Sequence, residues 1–112
     1  MKIGIDIVEI RRFRNKKYDS NQKFYQNIFS KNEIDYCLKF KDPYPHFAGR
    51  FAAKEAVIKT TNTNTKLYQI VINKKKNNLE IKIKNILKPN ILISISHEKE
   101  YSVAMSINFS NI

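Results

Sequence analysis

The stretch 47–60 restricts the fold of this chain more than any other part of the sequence, because its apolar residues recur with helical spacing on more than one face. On a helical wheel, Phe47, Phe51 and Ile58 form one apolar stripe. Three small residues form a second stripe: Ala48, Ala52 and Ala56. Because the wheel leaves almost no purely polar face, we expect a largely buried helix that the rest of a 112-residue chain must surround.

Before this central helix, the sequence predicts one strand and two short helices. The strand alternates isoleucines on one side with Gly4, Asp6 and Val8 on the other, as in a strand that buries one face. Ser30 and Glu33 fit a capping box, which marks the start of the second short helix. The expected ranges are 2–10 for the strand, 24–29 for the first helix and 30–40 for the second.

The remaining sequence predicts an interruption of regular secondary structure ahead of the central helix, and β-strands after it. Pro43 and Pro45 are expected to interrupt the chain ahead of the central helix. Beyond it, alternating apolar residues predict strands at 67–72, 79–83, 91–96 and 101–109, with a polar turn at 74–78. The fold class is therefore α+β, with helices packed on a small antiparallel sheet in a single domain covering residues 1–112.

The formal net charge of +11 narrows the possible partners. A charge of this sign favours a polyanion: nucleic acid, a membrane surface, a phosphorylated ligand or an acidic protein. Part of the charge has a simpler explanation. The sequence is rich in Lys, Asn and Ile and has only two Gly, and such a compositional bias raises the number of surface lysines without any need for an anionic partner.

Cysteine content and hydropathy indicate the compartment. Cys37 is the only cysteine, so that no internal disulfide can form, and we expect a reducing, cytoplasmic environment. It is assigned to packing rather than to catalysis. Acidic residues interrupt the apolar start of the chain, so that a signal peptide is not expected, and no apolar run is long enough to span a membrane.

Two carboxylates on otherwise apolar elements are the candidate functional residues. Taken singly, each has a structural interpretation: Glu55 could pair with Lys59 one turn later, and Asp6 could accept backbone hydrogen bonds. Taken together, they are the kind of ligands that Mg²⁺ uses alongside substrate phosphates and water. Arg50, Lys54 and Lys59 would then supply positive charge for those phosphates.

Three segments carry a family resemblance: Gly4-Ile5-Asp6-Ile7, the central run 48–59 (AGRFAAKEAVIK) and the run 94–101 (SISHEKEY). In order and spacing they resemble the three signatures of holo-acyl-carrier-protein synthases, which are phosphopantetheinyl transferases. The segment 28–33 also resembles the entry to the second helix of that family. The resemblance covers nearly the whole chain.

The resemblance implies a fold of packed helices and an antiparallel sheet, assembled as a homotrimer with active sites between subunits. It implies transfer of phosphopantetheine from coenzyme A to a serine of an acidic acyl carrier protein, with adenosine bisphosphate released. It assigns Mg²⁺ to Asp6 and Glu55, and makes these two residues and Lys59 the catalytic set. The base that deprotonates the serine could be Glu55 or a metal-bound water.

The resemblance also assigns the binding residues. Four residues are expected near the coenzyme A phosphates: Arg50, Lys54, Lys59 and His97. His97, if taken alone, would be an ordinary solvated residue in a turn, and His46 is assigned to a loop. The basic run that begins with Arg11, Arg12 and Arg14 is expected to dock on the acidic carrier, or else to be a solvated helix face. Neither a nucleic acid nor a membrane is expected as a partner.

The sequence departs from the family after the central helix and around Pro89, where a glycine that the family has before the Pro89 region is missing. Asn62 and Asn64 stand where the family usually has a glycine-containing turn, and the segment 89–97 is short; these changes bear on the shape of the coenzyme site. A different class of function also fits the charge, namely a small RNA-binding module, since aromatic rings are plentiful enough to stack bases. Such a module would need aromatic residues beside basic ones on an exposed strand, whereas here most aromatics fall at helical packing positions.

Overall fold

A computed structural model of the chain describes residues 1–61 and 64–110. It contains helices and strands in the order β-α-α-α-α-β-β-β-β-β, so that the predicted α+β class is confirmed. The helices are α1 (Arg11–Arg14), α2 (Gln22–Gln26), α3 (Lys31–Leu38) and α4 (Tyr44–Ile58). The strands are β1 (Lys2–Glu9), β2 (Ile70–Lys75), β3 (Asn78–Ile83), β4 (Ile86–Leu87), β5 (Ile91–His97) and β6 (Tyr101–Asn108).

The strands form two antiparallel sheets rather than one. The first has the order β1-β6-β5 and the second the order β2-β3-β4. The turn between β2 and β3 is tighter than the sequence predicts, because only Lys76 and Asn77 lie between the strands, and Lys76 adopts a left-handed φ of 50°. The segment 67–69, expected to open a strand, is a turn of 3₁₀ helix.

The central helix α4 packs across the first sheet and forms the middle of the core, as its wheel predicts. Ala52 and Ala56 are fully buried on the side that meets the sheet. A side chain at Gly4 would place its Cβ 2.1 Å from the carbonyl oxygen of Ala56, so that only glycine allows β1 this close to α4. Side chains of β6 fix both ends of the helix: Ser102 donates to the Pro45 carbonyl at 3.0 Å, and Asn108 donates to the Thr60 carbonyl at 2.9 Å.

The two prolines begin this helix rather than breaking the chain ahead of it. Pro43 is the residue that precedes the first turn, and Pro45 lies within that turn. A helix tolerates proline there because the first backbone N–H groups have no acceptor inside the helix. The helix therefore begins three residues earlier than predicted and includes His46.

The short helices hold an aromatic cluster against the other side of α4. Tyr25 is its centre: its ring lies 4.6 Å from that of Phe47, and its hydroxyl donates to the Lys16 carbonyl at 2.6 Å. Phe13 and Phe29 are buried around it. This packing occupies rings that an RNA-binding surface would need to expose. Within the described residues, no helix is long and apolar enough to cross a membrane.

The first sheet turns an apolar face away from α4. The buried side of β1 carries Gly4 and Val8, whereas Ile3, Ile5 and Ile7 are 59–66% exposed. Cross-strand partners on β6 and β5 extend this apolar side, which we call the outer sheet face. Its apolar residues are Ile3, Ile5, Ile7, Leu92, Val103, Met105 and Ile107, and Ser94 and Ser96 of β5 lie on the same side.

Candidate active site

Asp6 and Lys59 meet where β1 crosses the end of α4. The close contact at Gly4 brings the strand onto the helix, and Asp6, two residues further, lies on the same side of the strand. The Lys59 ammonium lies 3.6 Å from a carboxylate oxygen of Asp6 and donates to the Ile5 carbonyl at 2.6 Å. The Asp6 side chain is 22% exposed and that of Lys59 is 51% exposed, so that both can be reached by a ligand.

Glu55 lies one turn before Lys59 on α4 and is partly buried. Its carboxylate makes no hydrogen bond or ion pair with any described residue, so that the structural alternative, a Glu55–Lys59 pair, is wrong. The alternative for Asp6 is also wrong, since its partner is Lys59 rather than a backbone amide. A partly buried carboxylate without a partner is costly, and a bound cation would relieve that cost.

The donor set at this place fits a magnesium ion that shares its coordination with a substrate. Within residues 1–61 and 64–110, no cluster of three or more His, Cys, Asp or Glu side chains could form a closed protein cage for a metal. Mg²⁺ usually takes one or two carboxylates and completes its shell with water and phosphate oxygens. Asp6 and Glu55 satisfy that requirement.

A second cluster lies further toward the start of α4, in a groove of about 300 Å³. Arg50 lies on its floor, 6% exposed, with its guanidinium 4.7 Å from the centre of the Tyr36 ring. His97 lines the same groove from the end of β5, and Lys74 lines it from β2. The structure therefore brings together two of the predicted phosphate-binding residues, Arg50 and His97, that are 47 positions apart in sequence.

His46 belongs to this groove, although sequence reasoning placed it in a loop. It precedes Arg50 by one helical turn, and its ring lies 5.5 Å from that of His97. Burial, together with the neighbouring His97 and Arg50, lowers the pKa of His46. The spacing of four residues between His46 and Arg50 was the available signal, and the prolines concealed it by suggesting that the helix began later.

Lys54 does not line either cluster, and its predicted contact with the phosphates is wrong. Its ammonium is fully buried and lies 2.7 Å from Glu33, and it also donates to the Ile28 carbonyl at 2.8 Å. The other carboxylate oxygen of Glu33 accepts from the backbone N–H of Ile72 at 2.8 Å. Burial lowers the pKa of Lys54, and the Glu33 carboxylate opposes that effect. This pair joins α3, α4 and β2.

The predicted docking residues lie on α1 and differ in their contacts. Arg11 is exposed and pairs with Glu9 at 3.0 Å. The Arg12 guanidinium lies 5.3 Å from the Phe51 ring. Arg14 makes a bidentate ion pair with Asp42, in which its two terminal nitrogens lie 2.7 and 2.9 Å from the two carboxylate oxygens. This contact lowers the pKa of the Asp42 carboxyl.

The departures from the family pattern fall after α4 and around the start of β5 in the sequence. Asn62 falls outside the described residues. Asn64 is exposed, and left-handed backbone among the described non-glycine residues occurs at Lys76, Lys84 and Asn85 rather than there. The short segment 89–97 is a two-residue turn, Pro89-Asn90, followed by β5.

An α+β fold that places Asp6 against Lys59, with Glu55 one turn before that lysine, and that lines a groove with Arg50, Lys74 and His97 is typical of a small enzyme that handles phosphorylated substrates. Residues 2–106 match the family model of the 4'-phosphopantetheinyl transferase superfamily. The chain belongs to this family, and the resemblance drawn from the three sequence segments is confirmed.

The chain is similar in sequence and in structure to holo-[acyl-carrier-protein] synthases of several organisms. The chain is 39% identical over 114 residues to a holo-[acyl-carrier-protein] synthase of Chlamydia felis, covering 94% of this chain and 93% of that protein. A Helicobacter pylori holo-[acyl-carrier-protein] synthase, solved in complex with coenzyme A, superimposes with a TM-score of 0.78 at 31% identity, covering 96% and 99% of the two chains. The Bacillus anthracis synthase, also solved in complex with coenzyme A (3',5'-ADP), gives a TM-score of 0.71 at 32% identity, covering 93% of this chain and 91% of that one.

Proposed function

We propose that this chain is a holo-acyl-carrier-protein synthase, which transfers phosphopantetheine from coenzyme A to a serine of an apo acyl carrier protein. Family membership supports the reaction class. One structural observation carries the placement of the chemistry: Asp6 and Lys59 lie 3.6 Å apart, and Glu55, one helical turn before Lys59, has no side-chain partner among the described residues.

The reaction exchanges one bond to phosphorus for another. The carrier serine oxygen bonds to the phosphorus next to pantetheine, and the bond from that phosphorus to the bridging oxygen breaks. 3',5'-Adenosine bisphosphate leaves with the electron pair, and the serine loses its proton to a base. Such reactions depend mainly on positioning and on neutralising charge.

Lys59 is suited to the charge-neutralising role, because its hydrogen bond to the Ile5 carbonyl fixes the ammonium beside the carboxylates. A cation held in place before the reaction stabilises charge that develops on phosphate oxygens. Glu55 can accept the serine proton, since no described residue occupies its carboxylate. Asp6 and Glu55 would hold Mg²⁺, which when bound supplies further positive charge against the pyrophosphate.

Coenzyme A would extend from these residues along α4 toward the Arg50 groove. Arg50 has no carboxylate partner among the described residues, and it shares the groove with His97. A buried guanidinium in that state favours an anionic ligand such as a phosphate. Lys54 is excluded from this role by its burial against Glu33.

The partners follow from two surfaces. Arg11 and Arg12 on α1 would dock on the acidic carrier. Arg14 would join them if its ion pair with Asp42 breaks. The outer sheet face is large and apolar, which is typical of an association surface, and we propose that copies of the chain assemble through it. The family resemblance supports a homotrimer, and the single cysteine, Cys37, supports a cytoplasmic location. The RNA-binding alternative has no comparable support.

Mass spectrometry tests the reaction directly. An apo acyl carrier protein, incubated with this protein, coenzyme A and Mg²⁺, should gain the mass of one phosphopantetheine group. A carrier whose acceptor serine is replaced by alanine serves as the control and should gain none. An unchanged wild-type carrier mass at high enzyme concentration would contradict the proposed function.

A further inference from the structure

The guanidinium of Arg50 is an uncompensated charge at the floor of the groove. It is 6% exposed, its Nε is buried without a hydrogen-bond partner among the described residues, and its central carbon lies 4.7 Å from the centre of the Tyr36 ring. Removing a charge from water without pairing it is costly. The groove is therefore built for an anion that enters from outside the chain.

His46 forms part of the wall above Arg50. Its ring stacks on that of Phe40, with the centres 3.6 Å apart and the planes 14° from parallel. The stacking fixes the imidazole on the groove side of α4, where His97 meets it edge to face. Both rings and Arg50 line the same cavity, so that they can contact one ligand group.

We propose that His46 is an additional phosphate-binding residue of this groove and that it holds the ligand's phosphate in its protonated, cationic form. The inference rests on the proposed function, because that function supplies coenzyme A as the ligand. It assigns to His46 a role that neither the family signatures nor the sequence of this chain suggests.

The surroundings of His46 set the direction of its titration. The charged and titratable groups around it are Tyr36, Asp42, Arg50, Lys74 and His97. Burial is the largest cause that lowers its pKa, followed by His97 and Arg50, while Asp42 has the opposite effect. His46 is therefore neutral at neutral pH in the free protein.

A bound phosphate has the opposite effect on the pKa of His46. An anion beside the imidazole raises its pKa, because it favours the charged form. Between the two pKa values, binding takes a proton from solution, and affinity rises as the pH falls. The phosphate's own second ionisation, near pH 6, acts in the other direction, so that the comparison must be made between wild type and a His46 variant.

Titration calorimetry with coenzyme A in two buffers of different ionisation enthalpy measures this proton uptake. The variants are His46→Phe, which keeps the ring stack on Phe40, and His46→Gln, which keeps a neutral polar group. At about pH 6 we expect binding to be about tenfold weaker in both, the loss of one charge-assisted hydrogen bond. At about pH 8 the difference should shrink to about twofold, because His46 is neutral there. Thermal unfolding of each variant shows that the fold is retained.

The outcomes separate the two proposals. Equal proton uptake and equal affinity in wild type and in a folded variant would overturn the role of His46 and leave the proposed function standing. A wild-type protein that does not bind coenzyme A would overturn both. Dephospho-coenzyme A identifies the phosphate: if the effect of His46 disappears with this ligand, the residue binds the 3'-phosphate, and if it persists, the residue binds the pyrophosphate.

Discussion

The ammonium of Lys54 lies 2.7 Å from a carboxylate oxygen of Glu33, and neither side chain has any exposed surface. The Glu33 carboxylate also accepts hydrogen bonds from the backbone N–H groups of Ser30 and Ile72, and the Lys54 ammonium also donates to the Ile28 carbonyl. The pair thus joins three elements in the core. Its function is structural, which distinguishes Lys54 from Lys59 one and a half turns later on the same segment.

Breaking this pair should destabilise the protein strongly. Lys54→Met leaves a buried carboxylate without its cation and should lower the free energy of unfolding by about 3–5 kcal/mol, as measured by urea denaturation. Lys31→Met is the matched control, because it removes an exposed pair with Asp35 and should cost below about 1 kcal/mol. An equally stable Lys54→Met protein with a raised KM for coenzyme A would restore Lys54 to the phosphate site.

The elements of the fold were predictable from local patterns, whereas the contacts between elements were not. The capping box at Ser30 and Glu33 and the alternation in β5 and β6 depend on neighbouring residues, and both are confirmed. The Lys54–Glu33 pair depends on how α3 packs against α4, which no local pattern contains. In the sequence, Lys54 is therefore indistinguishable from a ligand-binding lysine.

The difference between local patterns and contacts between elements also explains which residues of the candidate site were predictable from the sequence. Asp6 and Glu55 stood out because a carboxylate on an apolar element is unusual, and that signal is local. His46 was missed because two prolines suggested a loop, although proline is tolerated in a first helical turn. Its partner His97 comes from a strand 51 positions away, and only the folded chain places the two rings together.

Replacing either candidate metal ligand should abolish transfer without unfolding the protein. Asp6→Asn and Glu55→Gln each remove a carboxylate from the proposed magnesium site, and we expect the rate to fall by about a hundredfold or more. Glu55→Gln should leave the melting temperature unchanged or raise it, because this carboxylate has no stabilising partner among the described residues. Carrier mass spectrometry at limiting Mg²⁺ measures the rate. Near-wild-type activity of either variant would remove that residue from the site.

Carrier docking should depend on Arg11 and Arg12. Arg11→Glu or Arg12→Glu should raise the KM for the acyl carrier protein about three- to tenfold, with little change in the KM for coenzyme A. Lys84→Glu makes the same change of charge on the exposed turn between β3 and β4 and should leave both constants near the wild-type values. Added salt should weaken carrier binding by screening these charges. A parallel loss for both substrates would indicate a defect in the fold instead.

The Arg14–Asp42 contact should stabilise the protein only while Asp42 is ionised. Arg14 lowers the pKa of Asp42 below its ordinary value of 3.8, so that its contribution is complete above that pH and is lost as the pH falls through the lower value in the folded protein. Wild type should therefore be more stable than Arg14→Gln at neutral pH, and the difference should vanish in acid. Chemical denaturation at a series of pH values measures it. A difference that is independent of pH would mean that Arg14 contributes by packing alone.

The outer sheet face should hold copies of the chain together. Ile5 and Met105 are directly opposite each other at its centre, 59% and 41% exposed. Placing a charge there by Ile5→Glu or Met105→Glu should shift the assembly toward monomers, since an apolar interface does not tolerate an unpaired charge. Lys2→Glu, on the same strand but on its other side, is the control and should leave the assembly largely intact.

Sedimentation velocity at low micromolar concentration distinguishes the species, and carrier mass spectrometry on the same samples relates assembly to activity. If the site is shared between subunits, the monomeric variants should lose transfer although Asp6, Glu55 and Lys59 are unchanged. A wild-type monomer that is fully active at that concentration would refute assembly as a requirement for catalysis.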